Sequence, residues 1–129
     1  MSDRYCTVAN MTDIRISTVN LLSCCTFCGM GCQGGWPAMA WLWWAYVGLS
    51  TEDCQPYPFP PCSHHSESDK YPECPAKPYD TPQCNKTCNN SSDKMRLYKG
   101  ENAYFVSGAD DYQRELMTNG PFEVALTVY

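Results

Sequence analysis

The sequence predicts a disulfide-rich fold that combines helices with a few strands. Ten of the 129 residues are cysteine, which is close to the level typical of a disulfide scaffold. Residues 37–48 are almost entirely apolar, with proline at the first position and glycine at the last, which predicts a buried helix. Residues 122–129 alternate between large apolar side chains and a second, more polar set, which predicts a strand. The length fits one domain.

Two further helices follow from capping residues and charge. Ser17 can act as an N-cap, which predicts a short helix that leads into the cysteine cluster. Asp110 and Asp111 would place negative charge at the positive end of a later helix. We expect Leu116 and Met117 to form the apolar face of that helix.

The middle of the chain differs in composition from both ends. Residues 51–98 contain eight prolines and irregularly spaced cysteines, which indicates a long excursion held in order by disulfides. Residues 103–106 then suit a strand. We expect Trp41, Trp43 and Trp44 to pack in a core larger than this chain can supply, with a ligand role as the minority alternative.

Composition narrows the compartment and the partners. The net charge is −5 and no cluster of Lys and Arg exists, so a nucleic-acid footprint is absent. The longest apolar run is too short to span a bilayer. Dense cysteines and four N-x-Ser/Thr sequons, which begin at Asn10, Asn85, Asn89 and Asn90, favour an oxidising lumen. Because no signal peptide opens the sequence, we expect Met1 to be internal to a longer chain.

Four segments carry a family resemblance. Residues 24–37 (Cys-Cys-Thr-Phe-Cys-Gly-Met-Gly-Cys-Gln-Gly-Gly-Trp-Pro) resemble the substrate-binding rim of papain-like cysteine peptidases of the cathepsin B type. Residues 61–65 (Pro-Cys-Ser-His-His) resemble the tip of the occluding loop of that group, and residues 80–88 resemble the return of the loop. Residues 119–123 (Asn-Gly-Pro-Phe-Glu) resemble the opening strand of the second domain. The match is collinear over essentially the whole chain.

The resemblance implies a papain-like, two-domain α+β fold, of which this chain carries part. The helical half would cover residues 1–98, with the occluding loop at about 54–88. The sheet-rich half would begin within residues 99–129. We expect a monomeric lysosomal or secreted enzyme without a cofactor, which acts on peptide and protein substrates and associates with a propeptide and cystatin-like inhibitors.

The resemblance also implies a chemistry that this chain does not carry alone. The family hydrolyses peptide bonds with a thiolate nucleophile and a histidine, and the nucleophile lies in a Gly-Ser-Cys-Trp-type motif. No such motif is present here. We expect the nucleophile shortly before residue 1 and the partner His beyond Tyr129, so no catalytic residue is assigned to this chain and we expect it to be inactive in isolation.

The chain is expected to bind substrate instead. By resemblance, Gly34 and Gly35 pair with the backbone of an extended peptide, since a side chain there would block its approach. Trp36 and Pro37 would wall the pocket for the second substrate residue, with Ala125 on the far side. The alternative for the two glycines is a tight turn before the helix.

Two adjacent histidines, His64 and His65, are the sharpest functional hypothesis. Protonated histidines on a disulfide-closed loop can bind a carboxylate, and in the family they hold the C-terminus of the substrate so that dipeptides are released. The alternatives are a solvated pair and a metal pair. Lys70 and Tyr71 lie near the place of the arginine that latches this loop in the family. Because lysine is a poorer bidentate partner, we expect a loop that opens more readily and more endopeptidase activity.

The resemblance further implies a disulfide pattern. The implied pairs are Cys24–Cys84, Cys25–Cys28, Cys54–Cys88 and Cys62–Cys74. Cys6 and Cys32 are left unpaired because their family partners lie upstream. Two other classes stay open: a non-catalytic, disulfide-rich secreted binding module, and a zinc module that uses Cys25, Cys28, Cys32 and a histidine.

Overall fold

The computed structural model describes residues 1–63, 70–90 and 94–128. Four α-helices and one 3-10 turn (Gly31–Gln33) make up its regular structure. The helices are α1 (Ser2–Ala9), α2 (Thr18–Cys24), α3 (Pro37–Tyr46) and α4 (Ala109–Asn119). In these three ranges, β pairing is limited to four isolated bridges. No helix in the described part of the chain is long and apolar enough to cross a membrane.

The segment that follows α3 lies at the centre of the fold. Leu49 exchanges two backbone hydrogen bonds with Tyr98, at 2.9 and 2.8 Å. On the other side, the Ser17 amide donates to the Ser50 carbonyl at 2.8 Å, and residues 16 and 51 form a bridge. Leu49 and Ser50 are fully buried. This segment therefore joins the start of α2 to the chain that leads towards α4.

The predicted caps of α2 and α3 are confirmed. The Ser17 side chain accepts a hydrogen bond from the Asn20 amide at 3.1 Å, as an N-cap does. Pro37 occupies the first turn of α3, and the helix ends before Gly48, whose φ of 94° suits glycine.

The tryptophans of α3 are less deeply packed than the sequence predicts. Trp44 is buried, whereas Trp41 and Trp43 are each partly exposed. The buried ring meets the edge of Tyr5 from α1, with 5.7 Å between ring centroids, and lies directly against Gly100. The ring of Trp43 meets the edge of Phe27, with 5.3 Å between ring centroids, yet Trp44 is the one buried residue of α3. The helix is therefore less completely buried than the sequence predicts.

The helix predicted from Asp110 and Asp111 forms as α4, but the prediction of its apolar face is wrong. α4 carries Asp110 and Asp111 in its first turn, as expected. Leu116 and Met117 are exposed, at 53% and 87% of their surface, and the buried residue is Glu115. A polar partner on α1 explains this reversal, as the site below shows.

The two predicted strands are also wrong for the described residues. Residues 103–106 and 122–128 lie outside any strand, and Leu126 and Val128 are largely exposed. An alternating pattern supplies a face that could be buried, but a strand also needs a neighbour to bond its amides and carbonyls. Trp41 Nε1 donates to Glu123 at 2.8 Å, so the beginning of residues 122–128 lies against α3.

The excursion has an outgoing limb (residues 54–61), a tip (62–74) and a return limb (75–88). The structure contains four disulfides, which are the four pairs that the resemblance implies: Cys24–Cys84, Cys25–Cys28, Cys54–Cys88 and Cys62–Cys74. Phe59 stacks on Tyr79, with 4.4 Å between ring centroids, and so joins the two limbs. Cys6 and Cys32 are free thiols.

Candidate substrate-binding site

The rim that follows α2 is a closed turn. Cys25 and Cys28 are bonded to each other, and Gly29 then forms a bridge with Gly35. The Trp36 amide donates to the Cys28 carbonyl at 2.6 Å, and the Met30 amide donates to the Gly34 carbonyl at 2.8 Å. These bonds hold the two glycines of the candidate site at a fixed place before α3.

Glycine is required at positions 34 and 35 for two different physical reasons. A Cβ on Gly35 would lie 2.6 Å from the Cys28 carbonyl oxygen, which is backbone and cannot give way. Gly34 has a φ of 111° and open space where a Cβ would point. The turn interpretation therefore accounts for both glycines structurally, and it leaves their exposed surface available for a ligand.

Gly35 also presents unused backbone groups. It is exposed, and within the described residues neither its N–H nor its C=O takes part in a hydrogen bond. Trp36 beside it is 60% exposed and Pro37 is exposed as well. One donor, one acceptor and an apolar wall suit an extended peptide. Ala125 is exposed in the segment after α4, and its position across a pocket from Trp36 stays a prediction.

The return limb of the excursion touches the rim directly. Thr81 Oγ1 accepts a hydrogen bond from the Cys32 amide at 2.9 Å. The Thr81 side chain also fills the space where a Cβ of Gly31 would stand. Three residues later, Cys84 is bonded to Cys24 at the end of α2. The rim and the return limb therefore form one connected surface.

The tip of the excursion is only partly described. The Cys62–Cys74 disulfide closes it, and the Ser63 amide donates to the Pro72 carbonyl at 2.8 Å. Lys70 Nζ lies 5.1 Å from the ring centroid of Tyr71. His64 and His65 lie outside the described residues, so their role as carboxylate ligands stays a prediction, as does the weak latch at Lys70.

The disulfides remove the zinc hypothesis in the form given above. Cys25 and Cys28 are bonded to each other, so neither can supply a thiolate to a metal. In residues 1–63, 70–90 and 94–128, no group of three His, Cys, Asp or Glu side chains is placed to hold a metal ion.

Sequence reasoning missed a polar cluster between α1 and α4. Arg4 donates to Glu115 Oε1 at 2.5 Å and to the Pro121 carbonyl at 2.9 Å. Tyr104 donates its hydroxyl to the same carboxylate oxygen, and Asn119 donates to the other oxygen at 3.0 Å. No local signal in the sequence marks this cluster, because its members are up to 117 residues apart.

The cluster controls the ionisation of its carboxylate. Desolvation opposes the charged form of Glu115, but hydrogen bonds from Tyr104, Asn119 and Arg4 and the Arg4 charge outweigh it. The pKa of Glu115 therefore lies below its ordinary value. The same contacts outweigh desolvation at Arg4 and raise its pKa.

The sequence profile of the family described as "Papain family cysteine protease" matches residues 1–129. The chain belongs to the papain family of cysteine proteases. Within that family it is similar to cathepsin B-like proteins. It is 42% identical over its whole length to "Cathepsin B-like cysteine proteinase 6" of Caenorhabditis elegans, and 40% identical to "Cathepsin B-like cysteine proteinase" of Schistosoma japonicum.

A solved structure agrees with this assignment. The structure titled "proCathepsin B S9 from Trypanosoma congolense" superposes on 92% of this chain with a TM-score of 0.76 and 42% sequence identity. The fold is thus a papain-family fold, as predicted. The chain spans 38% and 41% of the length of the two relatives above, and 36% of the solved chain.

Proposed function

We propose that this chain supplies peptide-binding surface to a cathepsin B-like cysteine peptidase. The exposed backbone of Gly35 carries the proposal, because among the described residues its N–H and its C=O have no hydrogen-bond partner, and they lie beside the exposed ring of Trp36. An extended peptide binds such an edge through main-chain hydrogen bonds, and alternate side chains enter pockets. Gly34, Pro37 and Ala125 complete the proposed surface.

The reacting groups of the proposed enzyme are a cysteine thiolate and a histidine. The thiolate attacks the peptide carbonyl carbon, the C–N bond breaks, and the histidine protonates the departing amine. Water then hydrolyses the resulting thioester. None of these steps is placed on residues of this chain, which contains no Gly-Ser-Cys-Trp-type motif.

The excursion gives the proposed enzyme a second activity. Held against the rim through Thr81 and Cys84, it would lie at one end of the binding surface. His64 and His65 at its tip would bind the C-terminal carboxylate of a substrate. The enzyme would then release dipeptides from that end in addition to cleaving internal peptide bonds. The acidic lumen of a lysosome would favour the protonated form of these histidines. Passage through the secretory pathway, to a lysosome or to the exterior, would allow the disulfides to form.

The partners proposed for the whole protein follow from the same assignment. Peptides and proteins would be its substrates, and a propeptide would cover the binding surface before activation, in keeping with the proenzyme form named in the solved structure above. Cystatin-like inhibitors would compete for the same edge. The proposal includes no cofactor and a monomeric enzyme.

The test compares two peptides in the full-length gene product. They share one sequence and end either in a free carboxylate or in an amide. We expect dipeptide release from the acid only, and a loss of about 10- to 100-fold in kcat/KM for release when His64 and His65 are both replaced by Ala, since charge-assisted hydrogen bonds contribute about 1.5–3 kcal/mol. Ser66→Ala is the control in the same segment, with release unchanged.

Two results would contradict the proposal. A full-length protein that cleaves neither peptide, and whose cysteines resist an alkylating reagent specific for thiolates, is not a cysteine peptidase. Dipeptide release that persists unchanged after substitution of both histidines would remove the carboxylate role and leave internal cleavage as the activity.

A further inference from the structure

A buried network of neutral polar groups lies where the excursion leaves the body of the fold. Its centre is Gln55, which directly follows Cys54 and is only 5% exposed. The Gln55 side-chain oxygen accepts from Asn20 Nδ2 at 2.7 Å and from the Ser50 hydroxyl at 3.0 Å. Its backbone carbonyl accepts from the Ser17 hydroxyl at 2.7 Å. The start of the excursion is thereby bonded to α2.

The other half of the same amide reaches across to the return limb. Gln55 Nε2 donates to the Asn85 carbonyl at 2.7 Å and to the Thr87 carbonyl at 3.0 Å. These two carbonyls lie on either side of Lys86, whose side chain is exposed. One side chain therefore fixes both ends of the excursion relative to α2, and every hydrogen-bonding position of its amide is used.

The network is linked to the rim through α2 and the return limb. Cys84, next to Asn85, is bonded to Cys24 at the end of α2, and Thr81 is bonded to the Cys32 amide. A shift of residues 85–87 would therefore be transmitted to Thr81 and to the turn that holds Gly35. Buried networks of this kind specify one arrangement when all members are satisfied.

We propose that Gln55 is a positioning residue, which sets the register of the return limb against the peptide-binding rim and thereby the balance between dipeptide release and internal cleavage. The second half of this inference rests on the proposed function. The first half, the register, is independent of any activity. Gln55 does not touch substrate in this assignment, and it acts through residues 81–87.

The decisive substitution is Gln55→Glu in the full-length gene product. The shape is kept, but the donor is replaced by a carboxylate oxygen that faces the Asn85 and Thr87 carbonyls. Trypsin then reports on the limb, because it cleaves after Lys86. We expect cleavage of the Lys86–Thr87 bond to accelerate at least 10-fold relative to the Lys94–Met95 bond. Gln113→Glu, the same change on the exposed surface of α4, is the control with an unchanged ratio.

The same variant is then assayed for the proposed activities. We expect KM for dipeptide release to rise at least 5-fold while kcat for internal cleavage stays within 2-fold. The described groups that bond the Gln55 amide are all neutral. Protonation of the substituted carboxyl restores one donor, so the balance of activities should return towards the unsubstituted protein as the pH falls from 7.5 to 4.5. A general loss of stability would not produce this recovery.

Gln55→Met provides a second variant without buried charge, for which the same direction with a smaller change is expected. Disulfide mapping verifies that each variant has folded. If trypsin cleaves Lys86–Thr87 and Lys94–Met95 in an unchanged ratio in a folded variant, Gln55 does not set the register of the return limb. If the ratio rises but the balance of dipeptide release and internal cleavage is unchanged, the proposed effect of the register on activity is wrong. A wild-type protein without peptidase activity refutes the proposed function alone, and the trypsin ratio still decides the register.

Discussion

Two polar regions of this molecule are held by different forces. The root of the excursion, defined by Ser17, Asn20, Ser50, Gln55 and the Cys24–Cys84 disulfide, combines neutral buried hydrogen bonds with a covalent link. The α1–α4 contact, defined by Arg4, Tyr104, Glu115 and Asn119, depends on one buried ion pair and its hydrogen bonds. The root should therefore respond to reduction, and the contact should respond to acid.

The largest expected effect is at the root. Replacement of Cys24 and Cys84 by Ala opens a link with a sequence separation of 60 residues, and the chain-entropy treatment gives a loss of roughly 4 kcal/mol in the free energy of unfolding. The matched control removes Cys62 and Cys74, which are 12 residues apart, with a loss of roughly 3 kcal/mol. Urea unfolding without reductant measures both. A larger loss in the control would show that the root is not the more important staple.

The next effect concerns the α1–α4 contact. Arg4→Met leaves Glu115 buried without its positive partner, and we expect a loss of about 3 kcal/mol in the free energy of unfolding. The control is Arg114→Met, because Arg114 pairs with Asp111 at 3.2 Å on an exposed surface. There we expect a loss of less than about 0.5 kcal/mol. Equal losses in the two variants would contradict the idea that burial makes the Arg4–Glu115 pair more important for stability than the exposed pair.

A smaller effect is expected at the cap of α2. Ser17→Ala removes the N-cap bond to Asn20 and the donor to the Gln55 carbonyl, so we expect a loss of about 1–2 kcal/mol. Thr118→Ala is the control, since the Thr118 hydroxyl donates to the Arg114 carbonyl one turn earlier on an exposed face. Thermal unfolding compares the two variants. A Ser17 variant as stable as the Thr118 variant would argue against a cap that also supports the excursion.

The smallest expected effect is the loss of stability that protonation of Glu115 causes on acidification. Its pKa is lowered in the folded state, so its stabilisation is fully present above the ordinary value of 4.5 and is lost as the pH falls through the folded value. The difference in unfolding free energy between the wild type and Glu115→Gln should be constant from pH 7 to about 5 and shrink below pH 4.5. Glu101→Gln, at an exposed position, is the control. A difference that shrinks already between pH 7 and 5 would contradict this sign.

Contacts between neighbours in the chain could be predicted from the sequence, whereas contacts between distant residues could not. The helix caps at Ser17 and Pro37 were predictable, because a cap is a contact between neighbours in the chain. The disulfide pairs and the Gly34–Gly35 rim followed from resemblance to a family, since their motifs are short and ordered along the chain. Gln55 and the Arg4–Glu115 pair carried no such signal, because all partners of the Gln55 side chain except Ser50 lie 30 to 35 residues away, and Arg4 and Glu115 are 111 residues apart.

The sequence by itself determined the family, the positions of α2, α3 and α4 and the character of the excursion, because local propensity and cysteine spacing are properties of neighbouring residues. Only the tertiary structure decided which faces are buried. It buried Glu115 in place of Leu116, and it left residues 122–128 without a ladder although their alternation predicts a strand. The reason is physical: burial and pairing depend on which distant groups meet, and the free energy of a buried polar group depends on whether those groups satisfy it.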